Sequence, residues 1–381
     1  MKKLLLFLLF AVVFESCTSK NSPGPQNYSD YRNSANFQSS ATPKNIIILI
    51  GDGMGVDYVS TSVLSMKNDA FRRFTTTGFS VTCSADNLVT DSAPGATAIS
   101  TGYRTNNWTI AEDPWSDKPL TTIFELAEKL KKASGIVVTC SITHATPAAF
   151  VAHVKSRSDE FDIAEQETER KTDVFIGGGI KFFTPTSEGG GRTDGVNLLS
   201  KVESEGYDYY DSYEKLKNSD PDKKFYALFD STGLPKAADR NYTLGDMTKI
   251  ALDYLSKRPN GFILMIEGSQ IDWAGHANDQ AYLLSEMKDF NTALNTVLDF
   301  EEKNKETLVV VTADHETGGM SIVDGNLDGS KFDLKFSTKH HTANMVGIFA
   351  KGPGEREFSG IMDNYMIGRK LFWMMDREYE F

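Results

Sequence analysis

The chain alternates between short apolar runs with no polar interruption and longer stretches whose apolar residues return every three or four positions. Uninterrupted runs occur at NIIILI (Asn45 to Ile50), GIVVTC (Gly135 to Cys140), DVFIGG (Asp173 to Gly178), FILMIE (Phe262 to Glu267) and LVVVTA (Leu308 to Ala313). Strands covered on both faces look like this, because neither face is left to carry polar side chains. Between them TTIFELAEKLKKA, TLGDMTKIALDYLSK and AYLLSEMKDFNTALNTVLDFEEK have the period of amphipathic helices. Repeated βα alternation predicts an α/β fold, a mostly parallel sheet with helices on both sides. Ligands of such sheets bind beyond the carboxyl ends of the strands. The segment from Lys181 to Asn241, with SEGGGRTDG and NSDPDKK, has weak periodicity. It is expected as an irregular flap or small cap beside the cleft, with plain loop packing as the alternative.

The first 17 residues, MKKLLLFLLFAVVFESC, pair two lysines with an apolar run from Leu4 to Phe14. That run is too short to span a bilayer and fits the h-region of a signal peptide. Cys17 sits where a bacterial lipoprotein signal places its lipidated cysteine, although Phe14 and Glu15 fit that pattern poorly. The expectation is an exported protein, periplasmic or anchored to the outer membrane by a lipid, with plain secretion as the alternative. Residues 18–43 are rich in Ser, Asn, Gln and Pro and predict a flexible tether. Residues 44–381 then form one domain of a size common among large α/β enzymes.

A formal charge of −12 argues against a nucleic-acid surface, and no basic cluster with interleaved aromatics occurs. Besides Cys17 only Cys83 and Cys140 remain, which excludes a disulfide framework and leaves their pairing open.

Polar residues cluster where the runs end. Asp52 follows IIILIG, His144 lies just after GIVVTC, Glu267 ends FILMIE, and Asp314 and His315 follow LVVVTA. Four strands thus deliver metal-ligand types to the same sheet edge. Two competing motifs fail on spacing. The third glycine of a dinucleotide fingerprint would fall at Val56, and the second histidine of HExxH would fall at Gly319. In EGSQIDWAGHAND, Asp272 and His276 stand four apart and would project from one turn of helix, with His341 of FSTKHHTAN able to join them. Of the six histidines, His153 and His340 have no such setting and are expected to be solvated.

The stretch VTDSAPGATA places Asp91 beside Ser92 among small residues. Either could be an ordinary helix N-cap. As a nucleophile Ser92 lacks a neighbouring histidine, and the chain has no G-x-S-x-G elbow. Asp52, Glu267, Asp272 and Asp314 converging without cations would repel one another strongly. Three divalent ions against these four acids leave two positive charges, which suits a phosphate dianion, and a metal on Ser92 would make its hydroxyl reactive.

Six blocks, IGDGMG, VTDSAPGATA, THATPAAFVAHV, MIEGSQIDWAGHAND, VTADHETGG and KHHTA, together resemble the alkaline phosphatase family in content and order, from Lys44 to Gly354. The resemblance implies a three-layer α/β/α sandwich, two Zn2+ ions, one Mg2+ ion and hydrolysis of phosphate monoesters through a phosphoserine. By motif, Asp272, His276 and His341 resemble the ligands of the first zinc, and Asp52, Asp314, His315 and Ser92 those of the second. Thr146 and Glu267, sharing Asp52, resemble the magnesium set, and Arg157 falls where the family clamps phosphate. His144 and Trp273 stand where the best-known bacterial member has aspartate and lysine; other members resemble this chain there. Imidazole in place of a hard oxygen makes magnesium less secure than zinc, and losing the lysine cation implies a weaker hold on phosphate. About 24 residues, Thr317 to His340, occupy the region of the family's crown, a short insertion that leaves monomer or homodimer open. Phosphodiester or sulfate-ester hydrolysis and a non-catalytic phosphate- or metal-binding lipoprotein are the alternatives; relatives of the former kinds use threonine or a modified residue in place of Ser92.

Overall fold

The computed structural model describes Ser39 and residues 41–116, 118–220 and 222–381. The expected signal segment, Cys17 and nearly all of the tether lie outside the described residues. The strands in chain order are β1 (Asn45–Gly51), β2 (Thr76–Val81), β3 (Ala133–Ser141), β4 (Val174–Gly178), β5 (Asp208–Tyr210), β6 (Phe225–Leu228), β7 (Phe262–Gly268), β8 (Thr307–Thr312), β9 (Glu316–Thr317), β10 (Met320–Gly325), β11 (Phe332–Phe336), β12 (His341–Thr342), β13 (Val346–Lys351) and β14 (Gly360–Asp363). Ten of them build one sheet in the order β14-β2-β13-β8-β1-β7-β3-β4-β6-β5. Only β13 runs against its neighbours in this sheet.

The five uninterrupted apolar runs become β8, β1, β7, β3 and β4, adjacent strands at the centre of the sheet. Alternate side chains of β1 serve two different cores. Ile47 and Leu49 belong to one core, with Met247, Ala251 and Leu294 of the helices Leu244–Leu255 and Gln280–Lys303. Ile46, Ile48 and Ile50 belong to the opposite core, with Ile99, Phe150 and Phe372. A parallel strand sandwiched this way has no solvent face, and the result is the expected three-layer α/β/α arrangement.

The segment from Lys181 to Asn241 differs from expectation. It carries β5 and β6, which extend the sheet, together with the short helices Leu198–Ser204 and Tyr213–Leu216. Their four or fewer strand residues give too little pattern to read. Only its last part behaves as a cap: Gly233 packs so closely on Trp273 that a Cβ there would lie 2.6 Å from the indole. The short crown region folds as the antiparallel hairpin β10–β11. Cys83 and Cys140 are free thiols. Among the described residues no helix is long and apolar enough to cross a membrane.

Candidate functional site

Ser92 opens the helix Ser92–Thr101, whose ten residues are all buried. Asp91 is its N-cap, accepting from Ala93 N at 2.9 Å. The small residues that follow have a steric cause: a Cβ at Gly95 would lie 2.8 Å from the carbonyl oxygen of Asp314. This close approach delivers Ser92 Oγ to within 3.2 Å of His315 Nε2.

His315 Nε2 faces two further oxygens, Asp314 Oδ2 at 3.3 Å and Asp52 Oδ1 at 3.4 Å. Its other nitrogen, Nδ1, lies 3.3 Å from Thr317 Oγ1, whose own proton goes to Asp272 Oδ1. With that hydroxyl committed to the carboxylate, its lone pair accepts from Nδ1–H, and Nε2 is left bare. Burial, followed by His341 and Arg157, holds the His315 pKa well below the ordinary imidazole value, so the ring is neutral. Gly53 makes the turn past β1 at φ +68°, where a side chain would strike Thr317 Oγ1. Its amide donates to Asp314 Oδ1 at 3.2 Å.

A second group adjoins the first. On the helix Gln270–Ala277, His276 Nε2 lies 3.4 Å from Asp272 Oδ2. His341 Nε2 reaches Asp272 Oδ1 at 3.6 Å, and its ring stacks on His315 with centroids 3.6 Å apart. Asp272, His315 and His341 each offer an atom within 4.8 Å of the others, as do Asp52, Asp314 and His315.

Cys140, His144 and Glu267 form a third such group. Thr146 Oγ1 is fully buried near the start of the helix Ala145–Val151 and makes no hydrogen bond. Burial and the Arg157 cation push His144 down to about 3, leaving it neutral. Because a guanidinium only donates, His144 Nε2 accepts from Arg157 Nη2 at 3.1 Å and the ring proton belongs on Nδ1.

The Arg157 side chain is 16% exposed. Its Nη1 donates to Asp91 Oδ1 at 2.9 Å, so the carboxylate that caps the serine helix also aims the guanidinium. Sequence reasoning saw in Asp91 only a cap; adjacency to Ser92 was the available signal. Thr317 and Cys140 were missed as well, since a hydroxyl or thiol inside a strand carries no spacing signature. His153, expected to be solvated, is instead packed: its side chain is 9% exposed, with Nδ1 2.8 Å from Ala111 O and Nε2 3.2 Å from Glu125 Oε1. Its ring partners, Ala111 and Glu125, lie 42 and 28 residues away in the chain and leave no local signal. His340 is exposed at the mouth of the cleft. That cleft, about 590 Å³, is lined by Ser92, Trp108, Arg157, Asp272, Trp273 and His276 among others.

Divalent cations fit this site. Both oxygens of Asp52, Asp314 Oδ2 and Glu267 Oε1 are buried without a hydrogen bond, each at a cost of about 1–3 kcal/mol or more if left uncompensated. Burial, then the carboxylates of Asp314, Asp272 and Glu267, raise the Asp52 pKa well above normal. Burial first of all lifts Asp314 and Glu267 to about 7. Carboxylates and bare imidazole nitrogens are the donors that zinc-type ions take.

A parallel sheet whose carboxyl edge gathers such donors around a helix-leading serine defines a metal-binding α/β protein. The profile of the alkaline phosphatase family matches residues 43–332, and this chain belongs to that family. Alkaline phosphatase 3 of Bacillus subtilis is 42% identical over 298 residues, 73% of this chain and 62% of that protein. Alkaline phosphatase 4 of the same organism is 39% identical over 310 residues, 76% of this chain and 65% of its own length. The chain therefore spans less than two thirds of these two curated relatives. The solved structure of alkaline phosphatase from the Antarctic bacterium TAB5 superposes with a TM-score of 0.81 at 36% identity, covering 88% of this chain and 98% of that one.

Proposed function

We propose that this chain is a metal-dependent hydrolase of phosphate monoesters that works through a phosphoserine on Ser92. The observation that carries the reading is the convergence of Ser92 Oγ, Asp52 and Asp314 on the bare Nε2 of His315, at 3.2–3.4 Å. A serine–histidine pair acting as nucleophile and general base is the competing reading. A base would offer its lone pair to the hydroxyl alone, whereas here the same nitrogen also confronts two carboxylates, an arrangement that calls for a shared cation.

Asp272, His276 and His341 would hold one zinc ion and Asp52, Asp314, His315 and Ser92 a second. Asp52, Thr146 and Glu267 would hold a magnesium ion, with His144 and Cys140 beside them. When bound, such ions acidify a hydroxyl or water and neutralise charge on the departing oxygen. Arg157, aimed by Asp91, suits two phosphoryl oxygens with its planar fork. The Ser92 amide, at a helix start, adds a donor to the same group. Ser92 Oγ loses its proton and bonds to phosphorus as the P–O bond to the leaving alcohol breaks, the alcohol taking up a proton. Water then breaks the P–Oγ bond, which restores the serine hydroxyl and releases phosphate.

The serine itself favours monoesters over diesters or sulfate esters. The N-terminal pattern around Leu4–Phe14 and Cys17 supports export, with the cysteine as the residue to carry a lipid.

A chromogenic phosphate ester assayed with and without chelator tests the reading. Loss of turnover on chelation and in Ser92→Ala is expected. Turnover indifferent to chelator would restore the serine–histidine pair, and full turnover by Ser92→Ala would remove the covalent step.

A further inference from the structure

Trp108 has a backbone φ of +73°, in the left-handed region that bulky side chains avoid. Three contacts hold it there. Its amide donates to Asp91 Oδ2 at 2.6 Å, its carbonyl accepts from Arg157 N at 2.7 Å, and the preceding Asn107 donates through Nδ2 to Val89 O at 3.1 Å. The strained residue is thereby tied to the Asp91 carboxylate beside Ser92 and to the backbone of Arg157. Yet the residue is 59% exposed, so no core packing accounts for the conformation. Strain maintained by local polar contacts, at the rim of a reactive cleft, is where a functional demand is to be sought.

The ring's position says what it meets. Arg157 Cζ lies 6.0 Å from the indole centroid, and both residues line the cleft that contains Ser92. Trp273 lines the same cleft, 6.4 Å from His144, which in turn contacts Arg157. A phosphoryl group seated between Ser92 and Arg157 must send its ester substituent out of the cleft, past this rim. An electron-rich indole offers a flat apolar surface that a saturated chain fills poorly and a π-system fills well.

We infer that Trp108 is a stacking platform for the leaving group, and that the site prefers phosphate monoesters whose alcohol carries a flat π-system, as aryl esters and nucleotides do, over simple alkyl ones. This deepens the proposed hydrolase function and rests on it only for the identity of the substrate.

The test measures binding of phenylphosphonate and methylphosphonate, whose P–C bonds resist hydrolysis, to the metal-loaded full chain by calorimetry. Parent, Trp108→Ala, Trp108→Phe and Trp108→Gly are compared. Glycine accommodates φ +73° and so removes the ring without adding strain. The preference for the phenyl ligand should fall about threefold to tenfold in the alanine and glycine variants and largely survive in the phenylalanine variant. An unchanged preference, or equal weakening of both ligands, overturns the inference; so does a shift in oligomeric state with the preference intact, which would make the ring a protein contact. If the parent hydrolyses no ester but the preference depends on Trp108, the hydrolase reading fails and this one stands.

Discussion

His276 Nε2 and His341 Nε2 face each other at 3.1 Å, while each ring is tethered through Nδ1 to a backbone carbonyl, Lys339 O at 2.6 Å and Thr90 O at 2.9 Å. A carbonyl can only accept, so on each ring the Nδ1 position carries a proton, and two rings with no second proton present opposed lone pairs at Nε2, with Asp272 alongside. Such a pair is repulsive unless a cation lies between the nitrogens and the carboxylate. Substituting His341→Ala should therefore release about one metal ion per chain, measured by elemental analysis, and lower kcat roughly 100-fold or more. Full metal content in that variant would show that the facing nitrogens are held by packing alone.

Asp91 joins three functions in one carboxylate: it caps the serine helix, orients Arg157 and pins Trp108. Loss of a cap costs about 1 kcal/mol of stability, whereas a charge-assisted hydrogen bond to the arginine is worth about 1.5–3 kcal/mol. Asp91→Ala should consequently lower the melting temperature by only a few degrees while kcat/KM falls roughly tenfold to a hundredfold. Arg157→Lys should show a comparable kinetic loss with no loss of stability, since an ammonium cannot make the two-pronged contact. Equal and small effects of both would place the phosphate clamp elsewhere.

The centre of the fold was legible because its strands, β8, β1, β7, β3 and β4, are covered on both faces and so consist of little but aliphatic residues. Edge strands lose that signature. In β2, TTGFSV alternates buried and exposed positions, and β5 and β6 are three and four residues long. At the site, residues at strand ends or at helical spacing, such as Asp52, Asp314, His315 and the Asp272–His276 pair, could be picked out by position. Thr317, which links His315 to Asp272, could not, because Asp272 lies 45 residues away in the chain on another element. The same holds for Trp108: its importance comes from a backbone angle and two long-range hydrogen bonds.

Trp273 occupies the cleft wall, 6.4 Å from His144 and packed under Gly233. It offers phosphate no charge, and Arg157 is the cation among the residues lining this cleft. Trp273→Lys would place an ammonium at that wall. The inhibition constant for inorganic phosphate should fall by about tenfold, in line with one added partly buried charge contact, and turnover should slow if phosphate release limits it. A weaker hold in the variant would refute the view that the indole loosens product binding.

Metal and pH should act on stability together. Burial and neighbouring carboxylates raise Asp52, and burial lifts Asp314 and Glu267 to about 7. In metal-free protein near neutrality these groups retain protons that the unfolded chain has already released, because free carboxyls titrate near pH ~4. The native state then binds more protons than the unfolded one, so stability falls as pH rises through 7. Histidines act oppositely, and lower down: His144, at about 3, and His315, also depressed, take up protons only on unfolding. Their contribution is complete above about pH 6.5, where unfolded histidines are neutral too. Glu286 and Glu167, raised by burial as well, lie outside the metal-ligand groups and act alike with or without metal. Bound cations keep Asp52, Asp314 and Glu267 ionised and abolish their share of the pH dependence. Melting temperatures of metal-loaded and chelator-treated protein should thus diverge as pH rises from about 5 to about 7.5, with the loaded form higher and the gap widening across that range. Curves that stay parallel across that range would mean that these carboxylates are compensated by something other than metal.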